Sequence, residues 1–399
     1  MNKRLFLKLS ASAALALAIG STQAAETLKI GAVAPKTGGL AGGAVVSFWP
    51  NVKLWAHDVN GRGGLDVGGT RYMVEIIEYD DQTNPGETIK AVQRLATQDK
   101  ADFILAPYAT GLNIAAAPVF ARYGYPMITH TAISDQVEEL SSKFPNMYFT
   151  LGGASGLAEG VAEVLAAMKA AGDIGNRVAM VNVADAFGIE LAERAAPALK
   201  SAGFDIVYQT SYPLGTQDLS PVVKGAKEAN PDAFVAFSYP PDTFGLTKQA
   251  VVEDLNVKAF YTAVATAFPA YAGANGAAAN NVLGAGGVNA DDPSFQAYMK
   301  RHEEVTGEKP DFWASGMVYA SFQILEQAIE ATDSIDRKVV SEYIAKNDFD
   351  TLMGKISWDE NNNNSAYWTV GQWQDGVFKG VASTGREGAV APRLKQGWE

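Results

Sequence analysis

The sequence predicts an α/β chain of buried parallel strands, each followed by a helix, repeated into two similar halves, and three observations carry that expectation. Five apolar runs, Asp102–Thr110, Met127–Thr131, Val178–Phe187, Ala233–Tyr239 and Phe260–Thr262, have the length and β-rich composition of strands covered on both faces. Helix-like stretches alternate with them along the chain. Each run also ends in a small hydroxyl residue or an aromatic, so the polar tips would gather at the carboxyl edge of a sheet, where open α/β folds hold ligands.

In order, the alternation runs strand 28–34, helix 45–60, strand 72–80, helix 85–99, strand 102–106, helix 112–123 and strand 126–130, closing a first half near residue 150. The glycine-rich Gly152-Gly-Ala-Ser-Gly156 interrupts the pattern. It then resumes with helix 157–171, strand 177–183, helix 188–202, strand 204–211, helix 219–229, strand 232–238, helix 243–254 and strand 258–262. A Gly, Ala and Asn-rich stretch, 270–287, carries the short apolar run Asn281–Ala285, and helices are predicted near 293–306, 312–331 and 336–346. The tail changes character: Lys355–Trp358, Tyr367–Val370 and Val377–Lys379 read as short antiparallel strands around turns. Asn361–Asn364 is one of those turns, because the glycine and ligand spacing of a calcium loop is missing around Asp359 and Glu360.

A chain of 399 residues exceeds one small domain and suggests two on the usual scale of roughly 100 to 200 residues each. Residues 1–24 have the order of a secretory signal: Lys3, Arg4 and Lys8, an apolar stretch from Leu9 to Ile19, then Thr22-Gln-Ala24. Cleavage after Ala24 would leave an exported chain, placed in the periplasm of a two-membrane bacterium. There is no cysteine, which excludes disulfides, thiol catalysis, zinc–thiolate sites and a lipid-bearing cysteine. Loss of the leader removes three cations and no acids, taking the formal charge from −12 to −15. Such a surface repels phosphate backbones, so neither nucleic acid nor an anionic membrane surface is an expected partner.

Catalytic machinery is hard to find. The sequence lacks a P-loop, a Gly-x-Gly-x-x-Gly turn after a strand, His-Glu-x-x-His and Gly-x-Ser-x-Gly, so no catalytic residue, metal set or cofactor is assigned. Of three histidines, His57 lies on a predicted helix and His302, in Lys300-Arg-His-Glu-Glu304, reads as solvated. His130 follows a strand and is either a satisfied structural histidine or the base of a hydrolase with Ser134 and Asp135, an arrangement that requires all three within hydrogen-bond reach.

Several motifs resemble one known family. They are Leu28–Gly38, Asp58-Val-Asn-Gly-Arg-Gly-Gly64, Glu78-Tyr-Asp-Asp81, Pro126-Met-Ile-Thr129, Asp185-Ala-Phe-Gly188 and Met353-Gly-Lys-Ile-Ser-Trp-Asp359, in that order. Together they resemble the type I periplasmic binding proteins of branched-chain and hydrophobic amino-acid importers, the leucine/isoleucine/valine-binding group, over essentially the whole mature chain. The resemblance implies two Rossmann-like parallel-sheet lobes joined by three hinge strands, a small-molecule solute, and a membrane permease with an ATPase as partner, the binding protein itself being a monomer. Crossings near Leu151, Gly284 and Gly354 would then divide the chain into 25–151 with 284–354 and 152–283 with 355–399.

By the same resemblance the ligand carboxylate is held by hydroxyls and main-chain N–H groups that match Ala109 and Thr110, next to Tyr108, and Thr131, Ala132 and Ile133. Elementary physics agrees for Thr110, which opens a predicted helix whose first N–H groups are unpaired; it serves as an N-cap, faces the ligand, or does both. Phe187 stands where the family supplies a tyrosine, Tyr239 matches a second aromatic wall, and Trp49 either lines the pocket or packs beneath it. Amino-acid binders of the family place a carboxylate beyond the strand Phe260–Thr262 to pair with the ligand ammonium, and the matching position here is Val264. The family tyrosine of the first loop is replaced by the glycine-rich Gly38–Gly43. A buried cation without a partner is costly, so the expected ligand is a small carboxylate lacking a charged amine, an aromatic or aliphatic acid. The alternative is a hydrophobic amino acid with Asp185 or Asp242 as ammonium partner; a sensor role shares the same clamshell.

Overall fold

The structure is a computed structural model that describes residues 25–398, so the signal segment expected at 1–24 lies outside the described residues. The first sheet and its helices comprise β1 (Glu26–Ala34), α1 (Ala41–Ser47), α2 (Trp49–Gly61), β2 (Leu65–Val67), β3 (Thr70–Asp80), α3 (Pro85–Arg94), β4 (Phe103–Ile104), α4 (Thr110–Tyr123), β5 (Met127–Thr129), α5 (Val137–Lys143) and β6 (Met147–Phe149). The second part comprises α6 (Ala154–Ala170), β7 (Arg177–Val183), α7 (Ala186–Ser201), β8 (Asp205–Tyr212), α8 (Ser220–Glu228), β9 (Ala233–Phe237), α9 (Pro240–Val252), β10 (Ala259–Thr262), α10 (Pro269–Asn275) and β11 (Leu283–Ala285). The remainder is α11 (Pro293–Thr306), α12 (Ala314–Thr332), α13 (Arg337–Ile344), β12 (Phe349–Thr351), β13 (Gly354–Ile356), β14 (Tyr367–Gln374) and β15 (Val377–Thr384).

The larger sheet has the order β15-β14-β11-β10-β9-β7-β8. From β8 to β11 every pairing is parallel, and β14 and β15 then add antiparallel strands on the far edge. β9 and β10 are buried at every position, as helices on both faces require. β14 and β15 are longer than their sequence signals, Gly371 to Gln374 continuing β14 as a fully buried strand, while the signal at Lys355–Trp358 is met by the shorter β13.

The smaller sheet has the order β2-β3-β1-β4, with β5 and β6 as a separate parallel pair. The run read as a strand over 102–106 shrinks to Phe103–Ile104, and no ladder joins β4 to β5. Pro107 has no N–H to contribute, and side chains make the junction instead: the Tyr125 hydroxyl donates to Ala101 O at 2.7 Å, and His130 Nε2 bonds Ala106 O at 2.8 Å. The single helix expected over 45–60 is two, α1 and α2, broken at Phe48 because Pro50 at the start of α2 removes a donor. Helix α5 and strand β6 carry no signal above, being seven and three residues long.

Side-chain caps start several of the helices. Asn84 accepts from Gly86 N and Glu87 N ahead of α3, Asp185 accepts from Gly188 N ahead of α7, and Asp292 and Asp336 do the same for α11 and α13. His302, read as solvated, is fully buried: it meets Tyr298 edge to face at 5.6 Å and bonds Glu308 O through Nδ1 at 2.8 Å. Its place on the inner stripe of α11, four residues after Tyr298, overrides the charged neighbours.

Asp58 joins three helices, since its carboxylate on α2 meets the Arg301 guanidinium of α11 and accepts from the Tyr319 hydroxyl of α12. Asp58→Ala is expected to lower unfolding stability by about 1–3 kcal/mol, below the value for a fully buried pair because the Arg301 side chain is 50% exposed and can rehydrate. Denaturant unfolding of the variant beside wild type measures this.

Candidate functional site

The carboxyl tips of the two sheets face one narrow, mostly apolar cavity. Tyr108 and Ala109 reach it from the loop between β4 and α4, and Thr131 and Ile133 from the loop after β5. Opposite them stand Phe187 on α7, Tyr239 at the end of β9 and Val264 beyond β10. These seven all come from the sequence-derived set. Leu151, Trp313 and Ala314 complete the wall and were not in that set.

Two members of the set lie elsewhere. Thr110 is not on the wall: its hydroxyl donates to Ile133 O at 3.2 Å and accepts from Ile133 N at 3.1 Å, fastening one tip to the other. Nor is it the cap residue, a position that Ala109 takes without a side-chain bond. Trp49 starts α2, donates its indole N–H to Pro35 O at 3.2 Å and carries the Lys36 ammonium 4.4 Å above its ring, away from the cavity. A sequence shows which residue sits at a tip but not which way its side chain turns.

A relay of hydrogen bonds fixes the tips of the smaller sheet. Ala109 N–H donates to Thr131 Oγ1 at 2.9 Å, and Thr131 Oγ1 lies 3.3 Å from His130 Nδ1. Because a carbonyl can only accept, the 2.8 Å bond to Ala106 O puts the proton on His130 Nε2, leaving Nδ1 to accept from Thr131. The imidazole is fully buried between Phe48 and Phe322, with centroids at 5.2 and 6.1 Å, and burial lowers its pKa from 6.5 to about 4. The hydrolase arrangement is therefore not assembled: Ser134 Oγ accepts from Gln136 N, and Asp135 binds Ser155 and Arg194.

Backbone strain marks both rims. Ala109 has φ 69° and ψ 155°, and Ala265, next to Val264, has φ 75°, a region that favours glycine. Each costs about 1–3 kcal/mol and persists only where the surroundings hold it. Trp313 occupies its place because Gly286, at φ 83°, has no Cβ to collide with the indole.

The wall offers donors. Phe187 and Tyr239 stack at 4.9 Å, and among the described residues Trp313 Nε1 is buried without a partner, while the buried Tyr239 hydroxyl has the Asp185 carboxylate beside it and no other partner. The N–H groups of Thr110, Gly111 and Leu112 lead α4 with no acceptor inside the helix, which favours an anion. No carboxylate is on the wall. Three lie behind it, each raised in pKa by burial: Asp185 caps α7, Asp242 is pushed up to about 6 while accepting from Tyr212 and from Tyr239 N, and Asp311 accepts from Trp313 N and Ser315. No group of three or more metal-binding side chains occurs among the described residues, and none of their helices is long and apolar enough to cross a membrane.

Comparison with known proteins adds the following. Residues 27–377 match the family model described as periplasmic binding protein. The Leu/Ile/Val-binding protein homolog 7 of Brucella suis is 25% identical, over 94% of this chain and 95% of its own length. A branched-chain amino-acid transporter substrate-binding protein from Streptococcus pneumoniae, solved with isoleucine, superposes with a TM-score of 0.77 at 18% identity, covering 90% of this chain and 99% of that one. A solute-binding protein of an ABC transporter from Rhodopseudomonas palustris, solved with 3,4-dihydroxybenzoic acid, gives 0.76 at 21% identity, covering 92% and 99%. At these identities the superpositions establish the shared fold.

The depressed His130 pKa has a thermodynamic sign. Neutral in the fold, the imidazole gains a proton on unfolding below pH 6.5, so its contribution is complete above 6.5 and is lost as pH falls towards about 4. Relative to His130→Gln, wild type is expected to lose roughly 3 kcal/mol between pH 7 and pH 4, measured by denaturant unfolding of both proteins across that range.

Proposed function

The chain belongs to the periplasmic binding protein family, in its type I Leu/Ile/Val-binding group, and we propose that it captures a small carboxylate without an ammonium group, an aromatic or aliphatic acid, for an ABC importer. The observation that carries this reading is the character of the cavity wall: aromatic and apolar side chains with buried donors, and Val264 where an amino-acid binder needs an acid. Tyr239, Trp313 and the first turn of α4 suit carboxylate oxygens, and the stacked Phe187–Tyr239 pair suits a flat apolar body.

The protein acts, in this reading, as an exported periplasmic monomer of two lobes, 25–151 with 284–354 and 152–283 with 355–399. Support comes from α12, which packs against α2 and β2, and from β14 and β15, which extend the larger sheet. Solute binds one set of strand tips, the hinge segments bend, and the second set excludes water, strengthening each hydrogen bond. The closed surface then meets the permease, and the solute leaves chemically unchanged.

A second reading, a hydrophobic amino acid, is favoured by one observation: the Asp185 carboxylate lies beside the Tyr239 hydroxyl, within reach of a ligand ammonium after a modest rotation. A thermal-shift screen separates the two, since a ligand that binds only the folded state raises Tm. Benzoate-class acids are expected to stabilise more than leucine or valine, and Asp185→Asn to leave that effect intact; the reverse order, abolished by Asp185→Asn, establishes the amino acid. Tyr239→Phe is expected to weaken carboxylate binding by about 1–3 kcal/mol in calorimetric titration, read beside the Tm of the free protein, which reports separately the loss of the hydroxyl's contact with Asp185.

A further inference from the structure

A second cavity, of about 170 Å³, shares no wall residue with the first and opens where the chain passes between the two sheets. Asn289 reaches it from the link between β11 and α11, Phe295 from α11, Leu352 and Met353 from the turn between β12 and β13, Trp368 from β14, and Arg386 from the segment after β15. Arg386 is the only cation on this wall.

Its situation is unusual for an arginine. Nε and Nη2 are closed off from solvent and, among the described residues, find no acceptor. The side chain is confined, since a Cβ at Gly354 would collide with Nη1, and its own carbonyl is held by Ser383 Oγ at 2.8 Å. Two acids share the wall without relieving it. Asp292 is committed to capping α11, accepting from Ser294 N at 2.7 Å and Phe295 N at 3.3 Å, and Glu387 is exposed and does not reach the guanidinium. Burial pulls the Arg386 pKa below the ordinary arginine value, with no neighbouring acid opposing it. Arginine does not escape such a position by losing its proton, so compensation has to come from an anion.

We propose that Arg386 anchors a second ligand site that takes a small carboxylate with an apolar body. The planar guanidinium matches a carboxylate through two parallel N–H groups, and Trp368, Phe295, Met353 and Leu352 supply the apolar cover for the rest of the molecule. A bare oxyanion such as phosphate would satisfy the charge and leave that apolar wall wet. The site stands on its own contacts and does not depend on what the strand-tip cavity binds.

Isothermal titration of benzoate into the purified chain and into Arg386→Met tests this. Wild type is expected to bind one equivalent more than R386M, and R386K to retain that equivalent with affinity reduced about ten-fold, having the charge without the fork. In buffer free of carboxylates R386M is expected to melt above wild type, because an uncompensated cation has been removed. Should benzoate not occupy the strand tips, both proteins bind one equivalent fewer and the difference between them persists. Equal stoichiometry in wild type and R386M overturns the proposal, as does unchanged affinity in R386K if R386M does not fold. Arg386-dependent binding of inorganic phosphate but not of benzoate overturns the carboxylate assignment.

Discussion

The chain of hydrogen bonds from Ala109 through Thr131 and His130 to the Ala106 carbonyl is the constraint on which the cavity depends. Parallel strands deliver their ends to one edge but leave those ends in irregular loops, where no ladder holds the backbone. Between β4 and β5 the ladder is missing altogether, and buried side chains replace it. Thr110 adds a two-way bond to Ile133, so each tip is braced by the other. This bracing is what holds Ala109 at a dihedral that an unrestrained alanine avoids. It also consumes the hydroxyls: the two threonines at the tips are occupied in building the wall.

Charge around the cavity follows from the same economy. Asp185, Asp242 and Asp311 are close, but each accepts hydrogen bonds from a helix start or a tyrosine and sits behind the surface that a solute would touch. Buried carboxylates engaged in this way have raised pKa values because the low-dielectric surroundings penalise their ionised form. What lines the cavity is the complement: Tyr239, Trp313 and Ala109 at the start of α4, among apolar side chains and with no acid. On the proposed reading such a surface disfavours an ammonium, which would lose its water there and find no acid.

Legibility in the sequence tracked length and period. Strands such as Arg177–Val183 and Ala233–Phe237 were readable because a buried parallel strand is a continuous apolar run, and helices such as Pro293–Thr306 because their patterns are long. The segment Val137–Phe149 was not, since a two-turn helix and a three-residue strand are too short to impose a period. On the cavity wall, Phe187, Tyr239 and Val264 stand at positions that the family resemblance matched. Thr110 and Trp49 lie off that wall, since spacing carries no information on side-chain direction. Trp313 escaped notice because it enters from α12, far along the chain; the faint signal was an aromatic flanked by Asp311 and Ser315, which cap one another at the helix start.

The leading turn of α4 has one further consequence. Its donors are peptide groups, and a peptide group survives any exchange of side chain that the backbone tolerates. The rings and aliphatic groups around it, Phe187, Ile133 and Val264 among them, are by contrast freely replaceable in shape. If that turn holds a negative head, as proposed, a lineage could retune its cargo by repainting the walls while the anchor stays in place, so that one scaffold serves many nutrients without relearning how to hold an acid.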